Sequence, residues 1–237
     1  MIKRKIYPVK LSIIIAILDS HKIVIKQMKH FKRMYLPNDI EIIFIDDGSN
    51  PPLSTLPTHG IKNMNIYPTM DKRPWTQPCA RNLGAMIAEG EMLLFTDVDH
   101  IIPSEVVLKA RSYDGDKLHF NREYGVLDYK GNLDQSLNSL VRHGLTRKRF
   151  NARGVKVHRH TNTFAMRKRI FEELGGYPPR YCNMGKHDIW EDSNFYHKYR
   201  KYTEAGRCRP QELGGTVYVY PASNTDPLGL FHSLPYG

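Results

Sequence analysis

Four short stretches of this 237-residue chain bring together side chains that could do chemistry. The densest is Met92-Leu93-Leu94-Phe95-Thr96-Asp97-Val98-Asp99-His100, where an apolar run passes directly into two carboxylates and an imidazole. Side chains two apart on an extended segment share a face, so Asp97 and Asp99 point the same way. Two anions held side by side repel unless a cation lies between them, and a hard divalent ion with oxygen ligands is the usual solution. A metal carrying a phosphorylated ligand is the chemistry this stretch suggests. The others are Asp46-Asp47-Gly48-Ser49, which ends a second apolar run, Arg81-Asn82, and Trp190-Glu191-Asp192, which sets two more carboxylates beside an indole.

The elements that must position these groups follow from the hydrophobic pattern. Leu11 to Leu18 and Ile40 to Ile45 read as strands buried on both faces, and the apolar run before Asp97 as a third. Between the first two, Val24, Met28, Phe31 and Tyr35 recur at helical spacing. Cys79 to Ala88 predicts a second helix, with Ala80, Leu83 and Ile87 on its apolar face and Gly84 permitting close packing on the sheet. Asn63 to Tyr67 predicts a short edge strand, and Thr69 to Pro78, carrying Lys72, Arg73 and Trp75, a ligand-covering loop. Such alternation implies an α/β fold with a mostly parallel central sheet flanked by helices. In open α/β sheets ligands bind beyond the carboxyl ends of the strands, where the acidic motifs fall. Past His100 the alternation stops. Asp134 is expected to cap a helix running to Gly144, Thr161 to Met166 forms a strand, and Gly175-Gly176 stops a helix over Arg167 to Leu174. A further helix carries Phe195, Tyr199 and Tyr202 on one face, and Thr216 to Tyr220 is the last strand. No Gly-x-Gly-x-x-Gly follows the first strand and no Walker-type loop is present, which disfavours a dinucleotide-binding or P-loop protein.

Composition narrows the partners. The formal net charge is +11, and the interval from Gln135 to Phe171 has no Asp or Glu while ten Lys and Arg residues fall within it. Such a run implies an anionic partner: nucleic acid, an anionic membrane surface or phosphates. The longest apolar runs are far shorter than the ~20 residues a transmembrane helix needs. Met1-Ile2-Lys3-Arg4-Lys5 precedes an apolar stretch but no small-residue cleavage site follows, so that stretch is read as a strand rather than a signal peptide. Three cysteines without paired spacing, Cys79, Cys182 and Cys208, argue for buried or free thiols and a reducing, cytoplasmic setting. A zinc site from Cys182, His187, His197 and Cys208 lacks a close cysteine pair to anchor it.

Taken in order, these motifs resemble the GT-A fold glycosyltransferases, specifically glycosyltransferase family 2. The likeness rests on Ser12-Ile13-Ile14-Ile15, Asp46-Asp47-Gly48-Ser49, Arg81-Asn82-Leu83-Gly84 with Gly90-Glu91, Asp97-Val98-Asp99, and Gly175-Gly176-Tyr177 followed by Trp190-Glu191-Asp192. It spans about residues 11 to 200. Ala16 stands where the family often has Pro, Asp19 where it often has Asn, and the Gly often found before the Glu-Asp pair is replaced.

The resemblance implies one Rossmann-like domain over 1–237, with a nucleotide-sugar half to about residue 102 and an acceptor half over about 103–237. It implies a UDP-sugar donor whose diphosphate is bridged by Mn2+ or Mg2+, with Asp99 as direct ligand, Asp97 on the metal or the ribose, and His232 preferred over His100, His158 and His160 as a third ligand. Asp46 is the expected uracil acceptor, with Asp47 either sharing the donor site or capping local backbone. Arg81, placed at a helix start, would hold diphosphate or donor hydroxyls. Asp192 is the expected general base of an inverting displacement, with Glu191 as substitute or positioning group. Trp75 and Trp190 are candidates to stack on sugar faces. Arg147, Lys148, Arg149 and Arg153 are candidates to hold an anionic acceptor, either an envelope or lipid-linked glycan at a membrane surface or a hydroxymethylated DNA base. Two other readings are a nucleotidyltransferase, whose Gly-rich loop is missing after the first strand, and a non-catalytic nucleic-acid-binding protein, against which the intact Asp97, Asp99 and Asp192 speak.

Overall fold

The computed structural model describes residues 8–73, 76–146, 156–157, 161–183, 191–221 and 228. The alternating half forms as the pattern requires: β1 (Leu11–Ile17), α1 (His21–Arg33), β2 (Ile40–Asp46), β3 (Met64–Pro68), α2 (Gln77–Ile87) and β4 (Met92–Asp97). Beyond it come β5 (His100–Ile101), α3 (Ser104–Ser112), β6 (Lys117–Tyr124), β7 (Val126–Leu127), β8 (Leu133–Asp134), α4 (Leu137–Arg142), β9 (Lys156–Val157), β10 (Phe164–Arg167), α5 (Lys168–Glu173), α6 (Glu191–Glu204) and β11 (Glu212–Val219). The main sheet runs β3-β2-β1-β4-β10-β6-β11-β5, with β9 added to β6. Its β3-β2-β1-β4 block is parallel, β10 is antiparallel to both neighbours, and β6 and β11 are again parallel.

Because side chains alternate faces, each central strand feeds two cores. Ile13, Ile15 and Phe44 point to the side packed by α1 and α3, while Ile14, Ile43, Ile45 and Phe95 point to the side packed by α2, α5 and α6. Gly84 permits the close approach of α2. A Cβ there would lie 2.4 Å from Cγ2 of Ile14, so no side chain fits. On this second side, Phe95, Phe164, Phe171, Tyr177 and Phe195 form an aromatic cluster with ring centroids as close as 4.7 Å. This cluster fixes α6 against the sheet.

Three local expectations are corrected. Ser136, not Asp134, caps α4, with its Oγ accepting from the amide of Ser139, while Asp134 accepts from the amide of Ser136 instead. Cys79 and Cys182 form a disulfide that ties α2 to the 3-10 turn Pro179–Asn183, leaving Cys208 as the free thiol. Pairing removes Cys182 from any zinc site, and His187 lies outside the described residues. Part of the basic run is internal. Arg167 donates to the carbonyls of Gly115 and Tyr113, Lys168 to that of Ala88, and Arg169 to Asp116. No helix among the described residues is long and apolar enough to cross a membrane.

Candidate active site

The parallel register sets Ile17 opposite Asp46 and Ala16 opposite Asp97, so the acidic strand ends gather at one edge of the sheet. Here β4 ends and the chain turns through Val98 and Asp99 into β5. Gln27, buried on the inner face of α1, holds that turn by donating to the carbonyls of Val98 at 3.0 Å and His100 at 2.7 Å. Nδ1 of His100 lies 2.9 Å from Oδ1 of Asp99, and Nε2 lies 3.1 Å from Nη1 of Arg122 on β6. One ligand atom from each of Asp97, Asp99 and His100 lies within 4.8 Å of the others. Two hard oxygen donors at that spacing could hold a divalent cation. His100, expected to be only a neighbour, is thus built into the carboxylate pair, while His158, His160 and His232 lie outside the described residues.

Asp46 and Asp47 divide their work in an unexpected way. Both oxygens of the buried Asp46 accept backbone hydrogen bonds, from Ser49 at 2.8 Å and Leu53 at 2.7 Å, so the local capping considered for Asp47 is done by Asp46. Asp47 instead faces the Thr69–Thr76 loop, accepting from the hydroxyl of Thr76. Burial pushes its carboxyl up to about 6, against the pull of hydrogen bonds from Thr76 and Thr69.

Arg81 sits in the second turn of α2 rather than at its start, so the helix-terminus field is not what it offers. Only 2% of its side chain is exposed. Nη2 donates to Oδ1 of Asp97 at 2.7 Å, Nη1 lies 3.5 Å from Oε1 of Glu191, and the guanidinium carbon lies 5.3 Å from the centre of the Tyr177 ring. Burial alone would pull the guanidinium down, but Asp97 and Glu191 reverse this and hold it firmly charged. Glu191, nearly as buried, has its carboxyl pushed up by burial, with Arg81 opposing. Neither Nη1 of Arg81 nor Oε2 of Glu191 has a hydrogen-bond partner among the described residues.

Asn82 makes the second link from α2. Its side-chain amide donates to the carbonyl of Tyr177 at 2.8 Å and accepts from the Tyr177 amide at 2.9 Å. Gly176 allows this, since its φ is +60° and a Cβ would stand 2.6 Å from Oδ1 of Asn82. Asp192, in the first turn of α6, accepts from the hydroxyl of Thr161 at 2.5 Å and from the amide of Ser193 at 2.6 Å.

One guanidinium therefore joins the carboxylates at the end of β4 to those opening α6. Residues 12–213 match the family model described as glycosyltransferase like family 2. The chain belongs to that family. As a family 2 glycosyltransferase it shares its GT-A fold with TarS from S. aureus (residues 1-349), at a TM-score of 0.59 and 17% identity over 93% of this chain and 63% of that one. It is also similar to the mannosyltransferase PcManGT from Pyrobaculum calidifontis, solved with GDP-Man and Mn2+, at a TM-score of 0.53 and 14% identity over 90% of this chain and 57% of that one. The chain thus spans less than two thirds of either. No curated protein matches its sequence.

Two residues of this site carried a signal in the glycosyltransferase's sequence that motif reading passes over. Gln27 interrupts the apolar face of α1 set by Ile23, Val24, Met28 and Phe31, and Arg122 follows Leu118 and Phe120 at the strand period of two. A polar residue in an apolar series is the informative exception. Trp75, Trp190, Arg147, Lys148, Arg149 and Arg153 lie outside the described residues.

Proposed function

We propose that the enzyme moves a sugar from a UDP-linked donor to a hydroxyl of an anionic acceptor, with inversion at the anomeric carbon. The observation that carries this is the Arg81 bridge, 2.7 Å to Asp97 and 3.5 Å to Glu191, which puts the donor-side acids and the first turn of α6 around one cation. Residues to about 102 form the donor half in this reading and the rest the acceptor half.

Asp47 rather than Asp46 receives the ring N–H of uracil, since Asp46 is buried and turned to the backbone amides of Ser49 and Leu53 while Asp47 is partly exposed. Asp97 and Asp99 would hold Mn2+ or Mg2+, with His100 orienting Asp99; when bound, the ion would neutralise the diphosphate and make it a better leaving group. Arg81 pairs with Asp97 and orients it. The acceptor oxygen attacks the anomeric carbon from the face opposite the diphosphate, its proton passes to Asp192, and the electron pair of the breaking C–O bond leaves with the nucleotide. Thr161 and the Ser193 amide fix the Asp192 carboxylate for that task. Glu191 positions Arg81.

The acid-free basic run supports an anionic acceptor, since Arg167, Lys168 and Arg169 account for only part of it internally. The test is to screen UDP-sugars, with GDP-mannose alongside, in the presence of Mn2+ against hydroxymethylated DNA, unmodified DNA and lipid-linked or phosphorylated envelope glycans. Nucleotide release and product mass are followed together. Transfer to one acceptor class is expected; no hydrolysis and no transfer from any donor would overturn the reading.

A further inference from the structure

Arg122 belongs to no motif of the family resemblance, yet it completes a chain of contacts into the carboxylate pair. It stands on β6, in the half of the chain that follows the acidic turn, and its side chain is partly buried. An arginine neither accepts a hydrogen bond nor gives up its charge, so the imidazole nitrogen facing it must present a lone pair. With Nε2 of His100 turned to Arg122 at 3.1 Å, the ring proton sits on Nδ1, from which it is donated to Asp99 at 2.9 Å. The ring has little freedom to do otherwise: His100 is 2% exposed and Gln27 holds its carbonyl.

Among the described residues, two guanidiniums lie against this acidic turn, Arg81 being shared with Glu191. Asp97 is paired with Arg81 directly, and Asp99 with Arg122 through the imidazole. Burial lowers the pKa of Arg122 from the ordinary arginine value while Asp99 and Asp97 oppose that fall, so the guanidinium feels both carboxylates. Two guanidiniums beside the Asp97–Asp99 pair weaken its attraction for a bare dication. A dication that arrives with a diphosphate brings its own negative charge, which the guanidiniums attract.

We propose that Arg122 is a positioning residue of the donor site, which orients Asp99 through His100 and makes the Asp97–Asp99 pair receptive to a divalent cation only together with a nucleotide diphosphate. This rests on the metal-dependent, nucleotide-sugar reading above. It gives Arg122 opposite effects on two affinities, which a merely structural residue does not have.

The experiment measures Mn2+ binding by electron paramagnetic resonance, on the whole protein, with no nucleotide, with UDP and with GDP. Wild-type protein is expected to bind Mn2+ weakly alone and far more tightly with one nucleotide. Arg122→Met is expected to bind free Mn2+ about tenfold more tightly and nucleotide-linked Mn2+ about tenfold more weakly. Arg122→Lys keeps the charge but not the planar fork, and is expected to return free Mn2+ affinity to the wild-type value while restoring the nucleotide-linked affinity in part. Thermal melts establish that both variants are folded; if Arg122→Met is not, Arg122→Lys decides by the same two affinities. Affinities that fall together, or do not move, overturn the proposal while leaving the functional reading standing. Wild-type protein that holds no Mn2+ with either nucleotide overturns both.

Discussion

Asp47 and Asp192 are acids in different surroundings, and the difference is testable. The Asp47 carboxyl, pushed up to about 6 by burial, is ionised at neutral pH against its environment. A raised carboxyl pKa means that the folded state holds its proton longer than the unfolded chain does. The destabilisation is therefore complete above about pH 6 and vanishes below the unfolded value of about 4. Asp47→Asn is expected to stabilise the fold by about 1 kcal/mol at pH 7.5, with no gain at pH 3.5, while weakening nucleotide binding. Thermal melts across pH and nucleotide titration measure the two effects. Asp192→Asn is expected to lower kcat by about 10^2–10^4 with little change in donor binding. Glu191→Gln, which alters the partner of Arg81 rather than the proposed base, should lower kcat by less. Equal losses in steady-state kinetics would remove the distinction between them.

At the scale of elements, α2 is the hub. Within a few residues it provides Cys79 to the disulfide, Arg81 to the carboxylates, Asn82 to the Tyr177 backbone and Gly84 to the sheet. Asn82→Ala strips a buried amide and carbonyl of their partners, and is expected to cost about 1–3 kcal/mol in urea unfolding and to lower kcat more than donor affinity. Much of this framework was legible in the sequence. The strands β1, β2 and β4 are near-continuous apolar runs, the helical spacing of α1 and α2 is clear, and Gly84 beside the apolar face of α2 predicts the close packing found there. The site was legible as a set of motifs but less so as geometry. Adjacent aspartates cannot reveal which of them the backbone will use, and Arg81, expected at a helix start facing diphosphate, lies one turn further on, where it is enclosed between Asp97 and Glu191. Arg122 was hidden because its relation to Asp99 passes through a strand of the second half, where the alternating pattern has ended.

For the whole molecule, the Cys79–Cys182 bond joins segments 103 residues apart, a separation that no cysteine spacing could announce. Alkylation of the oxidised protein should add one label, on Cys208, and alkylation after reduction three; three labels without reduction would show the bond absent. A closed loop of this size restricts the unfolded chain, so a reductant should lower the melting temperature. The curl of the sheet has another effect. Strands β4, β10, β6, β11 and β5 follow one another in space, yet β4 and β5 are consecutive in the chain, separated only by Val98 and Asp99. The acidic turn thus joins β4, in the middle of the sheet, directly to β5 at its edge, and its length must suit the path across β10, β6 and β11. A single alanine inserted after Val98 should abolish Mn2+ binding, whereas the same insertion near Gly60, in the connection between the adjacent strands β2 and β3, should leave it intact. The spacing of the two acids is then a dimension of the whole sheet, cut to fit in two residues.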